Sequence, residues 1–407
     1  MPTLVLHQNP IIRGKILKLP ASKSISNRAL ILNALSGGLS TITNLATARD
    51  TQLMKDLLKK EDKVIDAMDA GTTMRFLTAY LALTGQQKTL TGTVRMKERP
   101  IGILVEALKR IGAEIKYLEK EGFPPLELCG FKEQQAGVVR LSGNVSSQYI
   151  SALMMVAPVL PDGLVIQMDG KVGSWPYIEM TAALMSQFGA QYFMKNDQIV
   201  ILPSAYHPTS IRIEPDWSAL SYWFAMVALA EQAEVVLSGV SPHSIQGDKV
   251  IADIMEKLGV NTSFENGDLK LTKTEQAVNE ISWNFTDCPD LAQTVIPVCA
   301  LKNVTGIFTG LESLYIKETD RVAALQNELG KVSAKLEERT KGVFVLTPGR
   351  STKDAIKINT YHDHRMAMGF APWATIMELE IEDPNVVNKS YPEFWTDLKL
   401  VGFQHVI

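Results

Sequence analysis

The chain has 407 residues, of which 46% are hydrophobic and 21% are charged, and its formal net charge at pH 7 is -3. A chain of this length holds enough apolar material for two or three average domains with substantial cores. The slightly acidic balance argues against a general nucleic-acid binder, which would carry a basic field over a whole face.

Cysteine usage and the apolar runs narrow the class of protein further. The cysteines Cys129, Cys288 and Cys299 have no CxxC spacing, so neither a disulfide framework nor a zinc site is indicated. The N-terminal residues contain no continuous apolar run of the kind that marks a signal peptide. The longest apolar stretches, residues 152–160 and 222–230, are shorter than the ~20 residues of a membrane-spanning helix. No membrane or nucleic-acid role is expected, and a reducing cytoplasm is the expected compartment.

The first predicted helix follows Pro20, in the segment PASKSISNRALILNAL. Its hydroxyl and amide side chains suit an N-cap, and Lys23, Ser24 and Arg28 are placed to converge there on an oxyanion. An ordinary capped helix with solvated cations is the alternative interpretation.

A second helix is predicted to start at Thr72, where Gly71 permits a close approach to the backbone. The segment VRMKERP then places Arg95, Lys97 and Arg99 in alternation. In an extended segment these three cations would point to one side. A solvated basic loop is the alternative.

Hydroxyl and amide side chains mark two further helix starts. Ser146, Ser147 and Gln148 open the segment SSQYISALMMVAP, and Ser174 and Tyr177 lie on a turn in SWPY. Each segment is unexceptional by itself.

Carboxylates and cations come together in the second half of the chain. The segment CPDLAQTVIPVCAL starts a helix at Asp290, a position that an N-cap role would explain alone. In the segment KETDR, Lys317 and Arg321 are i,i+4 neighbours on a helix, while Glu318 and Arg321 are i,i+3 neighbours. One face would then present two cations and a carboxylate. A solvated surface helix with local ion pairs is the alternative.

The segment DHRMAM opens the last of these helices, with Arg365 beside its start. His362 and His364 would diverge on a helix and have no further ligand set nearby, so no metal site is predicted. The chain shows no Gly-rich nucleotide loop, and no cofactor is predicted.

The cations of these motifs lie beside predicted helix starts. A helix start is electropositive and ordinarily favours Asp or Glu, so cations repeated there are locally unfavourable. A bound polyanion would remove the conflict, and local rules broken repeatedly in one way mark a functional site. The sequence therefore predicts a substrate that carries phosphate or carboxylate groups.

Two helical patterns recur along the chain. One ends at glycine, and these glycines recur at intervals of 70 to 77 residues: Gly112, Gly189, Gly259, Gly330 and Gly402. Such glycines are the expected left-handed C-caps. The other begins at a polar residue and runs through small and apolar side chains, with starts near Ser24, Thr72, Ser147, Trp217, Leu291 and His364. These six starts predict six α/β units of two helices and several strands, with the first unit trimmed between Leu57 and Asp66.

Proline interrupts strand-like runs at Pro20 and Pro215, which are the predicted domain boundaries. Residues 20–214 would form one domain of three units. Residues 1–19 plus 215–407 would form the second domain of three units, so that the chain crosses between domains twice.

Taken together, the motifs resemble the 5-enolpyruvylshikimate-3-phosphate synthase family. The resemblance runs collinearly from Pro20 to Lys389 through SKSISNRA, AGTTMR, RMKERP, SSQ, SWPY, PD, IKETDR, DHRMAM and the late lysine. It implies the two-domain enolpyruvyl transferase fold, in which each domain is an inside-out α/β barrel of three βαβαββ units and the active site lies in the interdomain cleft.

The resemblance also implies the reaction and the site. The enolpyruvyl group of phosphoenolpyruvate would pass to the 5-hydroxyl of shikimate 3-phosphate, with release of phosphate, in aromatic amino-acid biosynthesis. The residues implied for the shikimate 3-phosphate site are Lys23, Ser24, Arg28, Ser146, Ser147, Gln148, Ser174, Tyr177, Asp290 and Lys317. Those implied for the phosphoenolpyruvate site are Lys23, Gly71, Arg95, Gln148, Arg321, Arg365 and Lys389.

Catalytic roles follow from the same resemblance. Asp290 is expected to act as the base on the 5-hydroxyl, with Lys317 close to the same oxygen. Glu318 is expected to protonate the methylene carbon, and Lys23 to stabilise charge on the phosphate. A monomer that binds only these two small molecules is expected.

Four positions depart from the family pattern. Asp69 stands where many members have Asn, and Ala21 replaces a frequent Gly. Ser313 and Tyr315 stand where Asn and Arg are often seen, on what is expected to be a strand.

Three alternatives remain at this point. The enolpyruvyl transferase acting on UDP-N-acetylglucosamine usually carries a Cys or Asp in a mobile loop, and RMKERP has neither. RNA 3′-phosphate cyclase is built from related units but uses ATP and a catalytic His. A catalytically inactive anion-binding protein would have no need to retain both Asp290 and Glu318.

Overall fold

A computed structural model of the chain describes residues 2–142, 146–170, 172–195, 197–351 and 354–406. The chain divides into two compact units. Residues 22–213 form what we call the continuous unit, and residues 1–21 with 214–407 form the split unit. The domain ends expected from the proline positions, residues 20 and 214, lie within two residues of these limits.

The continuous unit lies in the chain after two strands of the split unit, β1 (Thr3–Leu6) and β2 (Ile11–Ile16). Its helices are α1 (Lys23–Leu35), α2 (Arg49–Leu57), α3 (Gly71–Leu83), α4 (Val94–Lys97), α5 (Gly102–Ile111), α6 (Ser147–Val156) and α7 (Trp175–Gln187). Its strands are β3 (Thr41–Thr43), β4 (Val64–Asp66), β5 (Lys88–Thr91), β6 (Ala113–Tyr117), β7 (Leu126–Phe131), β8 (Val138–Ser142), β9 (Leu164–Asp169), β10 (Tyr192–Lys195), β11 (Gln198–Ile201) and β12 (Ser210–Arg212).

The remainder of the split unit follows. Its helices are α8 (Trp217–Leu229), α9 (Ile251–Lys257), α10 (Ala292–Leu301), α11 (Arg321–Gly330), α12 (His364–Phe370) and α13 (Phe394–Leu400). Its strands are β13 (Gln232–Leu237), β14 (Val260–Glu265), β15 (Asp268–Lys273), β16 (Glu280–Asn284), β17 (Thr305–Thr309), β18 (Lys335–Thr340), β19 (Val343–Thr347), β20 (Ile356–Ile358), β21 (Leu379–Glu382) and β22 (His405–Val406).

The strands form six sheets in the described part of the chain, as expected for six units. Five sheets have four strands, in the orders β4-β5-β7-β6, β10-β11-β9-β8, β14-β15-β13-β2, β16-β17-β19-β18 and β20-β21-β1-β22. Each of the five contains one parallel pair, namely β4–β5, β8–β9, β2–β13, β16–β17 or β20–β21, and two antiparallel pairs. This common pattern confirms that the chain is built from repeated α/β units.

One sheet is smaller than the other five. The sixth sheet has only the parallel pair β12–β3. Helix α2 ends at Leu57, and β4 of the next sheet already begins at Val64. The short charged segment between them therefore leaves no room for the antiparallel strands of the other units.

Six helices begin within one residue of the predicted starts, namely α1, α3, α6, α8, α10 and α12. Four of them, α3, α6, α10 and α12, each connect the two strands of a parallel pair. Every residue of α8 except Ser218 is buried, and its sequence is apolar on all sides. Gly369 in α12 allows close packing on α10, because a Cβ there would lie 2.2 Å from the backbone oxygen of Gln293.

Four of the five predicted glycine caps are confirmed. Gly112, Gly189, Gly259 and Gly402 have φ angles of 125°, 92°, 84° and 101°. The prediction for Gly330 is wrong. Helix α11 includes Gly330 as its last residue, and Ser333 takes the left-handed conformation with φ 60°.

Aromatic rings fill much of the split unit's interior. Phe394 packs edge to face on Tyr222 and Tyr391, with centroid distances of 5.9 and 5.5 Å. In the continuous unit, Phe188 and Tyr206 form a similar pair at 6.4 Å. No helix among the described residues combines the length and apolarity that crossing a membrane requires.

Candidate active site

The segment KETDR lies ahead of a helix and not on one. Glu312–Ile316 form a 3₁₀ turn, and α11 begins only at Arg321. Asp320 is the N-cap and accepts a hydrogen bond from the backbone N–H of Ala323 at 3.0 Å. The helical i,i+4 relation expected between Lys317 and Arg321 is therefore wrong. The side chains of Lys317, Glu318 and Arg321 nevertheless lie close together.

Arg321 lies at the centre of this group of side chains. Its side chain is 2% exposed. Its Nε donates to Asp363 Oδ2 at 2.7 Å, its Nη1 to Asp290 Oδ1 at 3.0 Å and its Nη2 to Glu318 Oε2 at 2.8 Å. Burial lowers the pKa of Arg321, but Asp363, Glu318 and Asp290 raise it by more, so it lies above the ordinary value. The guanidinium is a fixed positive charge.

Asp290 is held by three cations. Arg365 Nη2 lies 2.8 Å from Oδ2, while Arg321 Nη1 and Lys317 Nζ lie 3.0 and 3.7 Å from Oδ1. Burial raises the pKa of Asp290, but Arg365, then Lys317 and Arg321, bring it well below its usual value. Burial lowers the pKa of Lys317, which Asp290 offsets only in part.

One further cation, Lys389, completes what we call the Asp290 cluster, which consists of Asp290, Lys317, Glu318, Arg321, Asp363, Arg365 and Lys389. Lys389, at the end of the 3₁₀ turn Pro384–Lys389, lies with its Nζ 3.6 Å from Glu318 Oε1. Arg365 Nη1 lies 3.4 Å from the hydroxyl of Tyr222, whose pKa burial raises to about 12. Every site residue that the sequence predicted in the split unit belongs to this cluster.

Asp363 and Asp248 were not predicted. Asp363 caps α12 by accepting the backbone N–H of Arg365 at 2.9 Å, and it also binds Arg321. Its place directly before the helix start in DHRMAM was the signal that could have found it. Asp248 is buried and accepts a hydrogen bond from Ser218 Oγ. Burial, and then the charge of Asp290, raise the pKa of Asp248 to about 7.

In the continuous unit, Arg28 is a buried cation held by neutral groups, which we call the Arg28 cluster. Its Nε donates to Thr181 Oγ1 at 2.7 Å, its Nη2 to Ser151 Oγ at 3.1 Å and its Nη1 to the backbone oxygen of Ser24 at 3.0 Å. No carboxylate of the described residues forms an ion pair with it, and burial lowers its pKa to about 10. A buried cation without an anionic partner is costly, so the site suits an anion.

The other residues expected around Arg28 lie at helix starts. Tyr177 contributes its backbone oxygen, 3.4 Å from Arg28 Nη2, and its ring, 5.9 Å from the guanidinium carbon. Ser174 precedes α7 in a left-handed conformation with φ 58°. Lys23, the first residue of α1, forms a 3.2 Å ion pair with Asp50.

A second group in the same unit surrounds Gln148. Its Nε2 donates to Thr72 Oγ1 at 3.1 Å, and its Oε1 accepts from Arg75 Nη1 at 2.8 Å. Ser146 caps α6 by accepting the backbone N–H of Gln148, and Ser147 is the first helical residue. Ser151 and Thr181 were missed by sequence reasoning, although each lies four residues after a predicted site residue and so on the same helix face.

The space above Gly71 is occupied by guanidinium groups. A Cβ at Gly71 would lie 2.6 Å from Arg99 Nη1 and 2.8 Å from Arg75 Nη1. Arg99 is buried, with 9% of its surface exposed. Among the three cations of RMKERP, it is therefore Arg99 that the structure brings to Gly71.

Arg95 lies elsewhere. The extended conformation expected for RMKERP is wrong, because residues 94–97 form the helical turn α4, capped by Thr93. A helical turn points successive side chains in different directions. Arg95 is half-exposed and pairs with Glu98 at 3.1 Å, while Lys97 pairs with Glu119 at 2.5 Å.

Three of the residues that depart from the family pattern, Asp69, Ser313 and Tyr315, lie in well-defined local structures. Asp69 accepts two hydrogen bonds from Arg49 Nη2, at 2.7 and 2.8 Å. Ser313 and Tyr315 belong to the 3₁₀ turn Glu312–Ile316 and not to a strand, so the strand expected there is wrong.

Comparisons with known proteins show the family to which the chain belongs. The sequence profile of the family EPSP synthase (3-phosphoshikimate 1-carboxyvinyltransferase) matches residues 8–60 and 55–398. The chain belongs to the EPSP synthase family. The 3-phosphoshikimate 1-carboxyvinyltransferase of Bacteroides fragilis is 47% identical over 390 residues, which cover 95% of each chain. The enzyme of the same name from Vibrio cholerae is 36% identical over 425 residues, covering 97% of this chain and 98% of the other.

Solved structures of the EPSP synthase family share the fold. An EPSP synthase structure from Acinetobacter baumannii superimposes with a TM-score of 0.78 over 100% of both chains, at 17% sequence identity. A second structure from the same organism gives a TM-score of 0.77. The expected enolpyruvyl transferase fold is confirmed.

Proposed function

We propose that this chain transfers the enolpyruvyl group of phosphoenolpyruvate to the 5-hydroxyl of shikimate 3-phosphate, giving 5-enolpyruvylshikimate 3-phosphate and phosphate. The observation that carries the proposal is the Asp290 cluster, in which the four cations lie within 4 Å of Asp290 or Glu318. Both substrates are polyanions, and charge-assisted hydrogen bonds of roughly 1.5–3 kcal/mol each offset their repulsion.

Shikimate 3-phosphate binds through the continuous unit's hydroxyl, amide and cationic groups together with Asp290 and Lys317. The buried guanidinium of Arg28 supports this role, because its protein partners are neutral and a phosphate supplies the missing charge. The other contacts come from Lys23, Ser24, Ser146, Ser147, Gln148, Ser174 and Tyr177.

Phosphoenolpyruvate binds Arg321, Arg365 and Lys389, with Lys23, Gly71 and Gln148 from the continuous unit. A carboxylate or phosphate suits the planar fork of arginine better than lysine. In this part of the site we assign the arginine of RMKERP to Arg99 in place of Arg95, because Arg99 is buried against Gly71 while Arg95 is half-exposed and pairs with Glu98.

Asp290 and Glu318 carry the proton transfers. With three cations beside it, Asp290 is a weak base in the empty protein. Phosphoenolpyruvate draws Arg321 and Arg365 toward its own charges, and the loss of those neighbours raises the pKa of Asp290 and strengthens it as the base on the 5-hydroxyl. Lys317 stabilises the oxygen as its proton leaves.

Addition forms a bond from that oxygen to C2 of phosphoenolpyruvate, while Glu318 delivers a proton to the methylene carbon. Elimination returns a proton from the resulting methyl group to Glu318 as the carbon–oxygen bond to phosphate breaks, and the departing phosphate takes up the proton that Asp290 removed from the 5-hydroxyl. Lys23 and Lys389 stabilise the charge on the departing phosphate. The enzyme acts as a monomer in the cytoplasm, in keeping with its composition.

Phosphate release from phosphoenolpyruvate tests the proposed function. The protein is mixed with phosphoenolpyruvate and either shikimate 3-phosphate or UDP-N-acetylglucosamine, without added metal. Release that depends on shikimate 3-phosphate is expected. Release only with the nucleotide sugar, or release with neither acceptor, would overturn the proposal.

A further inference from the structure

A pair of lysines lies at the C-terminal end of α8, outside the residues of the proposed reaction. Lys273 Nζ and Lys302 Nζ both donate to the backbone oxygen of Ala228, the latter at 2.9 Å. This oxygen belongs to the last turn of α8, where carbonyl groups have no partner within the helix. The two nitrogens share one acceptor and therefore lie close together.

No anion compensates the pair. Within the described ranges, no carboxylate forms an ion pair with either ammonium group, and both side chains are half-buried. The nearby thiol of Cys299 is uncharged at neutral pH because burial raises its pKa to about 12. Two like charges in this setting repel, and the conflict is relieved when one amine gives up its proton. Burial, and then the charge of Lys302, lower the pKa of Lys273 to about 7.

Lys273 is also accessible to small molecules. It lines a surface cavity of about 510 Å³ together with Arg13, Thr272, Ala233 and Gln232, and with the carboxylates of Glu231 and Glu234. Arg13 Nη2 donates to Gln232 Oε1 at 3.0 Å, and Glu234 is paired with Lys270 at 3.1 Å. The cavity gives a small reagent a path from the surface to the side chain of Lys273.

We propose that Lys273 is a site of acylation by small acyl phosphates. The uncharged Nζ attacks the acyl carbon, an N–C bond forms, the C–O bond to phosphate breaks and phosphate leaves. The amine proton passes to solvent. The product is a neutral amide, so acylation also removes the repulsion with Lys302.

Acetyl phosphate is the probe, with the full-length protein and peptide mass spectrometry to measure the acetylated fraction at each lysine. Lys341, which is exposed, serves as the internal reference. At about pH 7 Lys273 should react at least about tenfold faster than Lys341, because an ordinary lysine is almost fully protonated there. Its rate should level off above about pH 8, when the amine is fully deprotonated.

Substitutions of Lys302 test whether its charge, and not only the accessibility of Lys273, sets the rate at which Lys273 reacts. Lys302→Met removes the repelling charge, so the midpoint of the pH profile of Lys273 should move upward and its reaction at neutral pH should slow. Lys302→Arg keeps the charge and should leave the profile near its original position. Equal reaction of Lys273 and Lys341 at neutral pH, or a profile that Lys302→Met does not move, would overturn the proposal. Neither residue belongs to the proposed active site, so turnover with shikimate 3-phosphate is a separate result.

Discussion

Glu318 occupies the position in the Asp290 cluster where a single atom change tests the proton transfer. Glu318→Gln keeps a hydrogen-bond acceptor for Arg321 but removes the acid and base. We expect kcat to fall about 100-fold or more, the usual contribution of a positioned acid–base group, with a smaller change in KM. Steady-state phosphate release measures both. Glu312→Gln, on the exposed 3₁₀ turn nearby, is the matched control and should behave as the wild type. Near-normal turnover of Glu318→Gln would remove Glu318 from this role.

Arg99 and Arg95 offer a paired test within one segment. Arg99→Met removes a buried guanidinium beside Gly71, and the KM for phosphoenolpyruvate should rise at least about tenfold, as expected for one charge-assisted hydrogen bond. Arg95→Met removes a half-exposed cation that pairs with Glu98, and the KM should change by less than about threefold. Saturation curves at fixed shikimate 3-phosphate distinguish the two. The opposite order of effects would return the role to Arg95.

Asp248 should make the stability of the protein depend on pH. Its pKa is about 7 in the folded protein, above the value of 3.8 taken for an ordinary aspartate, because it is buried and close to Asp290. Its contribution to stability is therefore complete below about pH 4 and is lost as the pH rises to about 7. Asp248→Asn removes this ionisation and should stabilise the protein at about pH 8 by on the order of 2 kcal/mol, with little gain at about pH 4. Urea unfolding midpoints at the two pH values give the comparison, and an equal effect at both would contradict it.

At the scale of elements, the positions of helix starts could be predicted from the sequence, but the conformations of the segments RMKERP and KETDR could not. Four of the six predicted helix starts, those of α1, α6, α8 and α12, have a polar N-cap ahead of an apolar run, which is a local feature of the sequence. The extended state of RMKERP and the helical state of KETDR were wrong, because Thr93 caps a short turn and Asp320 delays the start of α11. The assignment of Arg95 to the phosphoenolpyruvate site came from the family resemblance, and the direction in which a helical turn points each side chain could not be read from that match.

Gly330, which was wrongly predicted to cap α11, leads to a prediction about stability. Gly330 is helical and a Cβ there would meet nothing within 4 Å, whereas Ser333 is held at φ 60°. Gly330→Ala should stabilise the protein by about 0.5–1 kcal/mol, because alanine loses less backbone freedom on folding. Ser333→Gly should also stabilise it, by relieving a left-handed conformation that costs a non-glycine residue about 1 kcal/mol. Thermal unfolding of the two variants measures both effects.

The matched control lies at a confirmed cap. Gly189 has φ 92°, and a Cβ there would lie 2.9 Å from the ring of His207. Gly189→Ala should therefore destabilise the protein. A loss of stability in Gly330→Ala, or a gain in Gly189→Ala, would show that the caps are assigned to the wrong residues.

At the scale of the whole molecule, six units could be predicted because the same helical sequence patterns recur along the chain. The pairing of β1 with β21 and β22 could not be predicted, since it joins the first residues of the chain to residues near its end, through backbone hydrogen bonds that no local pattern encodes. The Arg28 cluster shows the same limit. Ser151 and Thr181 reach Arg28 from helices more than a hundred residues away in sequence, so burial of that cation was visible only in the structure.

The connectivity of the two units predicts how pieces of the chain will fold. Residues 22–213 contain all strands of their own sheets and should fold alone with a cooperative urea transition. Residues 214–407 alone lack β1 and β2, which leaves one edge of β21 and one edge of β13 unpaired and removes the partner of β22, and they should fail to fold. Unpaired strand edges of this kind promote aggregation.

The short distance between Ala21 and Pro215 allows a modified version of the second fragment that should fold. Ala21 and Pro215 form an antiparallel bridge, and the backbone N–H of Asp216 donates to the oxygen of Pro20 at 2.9 Å. A short Gly-Ser linker can therefore join Ala21 to Glu214 and replace the whole continuous unit. Because β1 and β2 are restored, residues 1–21 linked to 214–407 should regain a cooperative unfolding transition, which circular dichroism in urea would detect. Cooperative folding of residues 214–407 without the first two strands would show that the split unit does not depend on them.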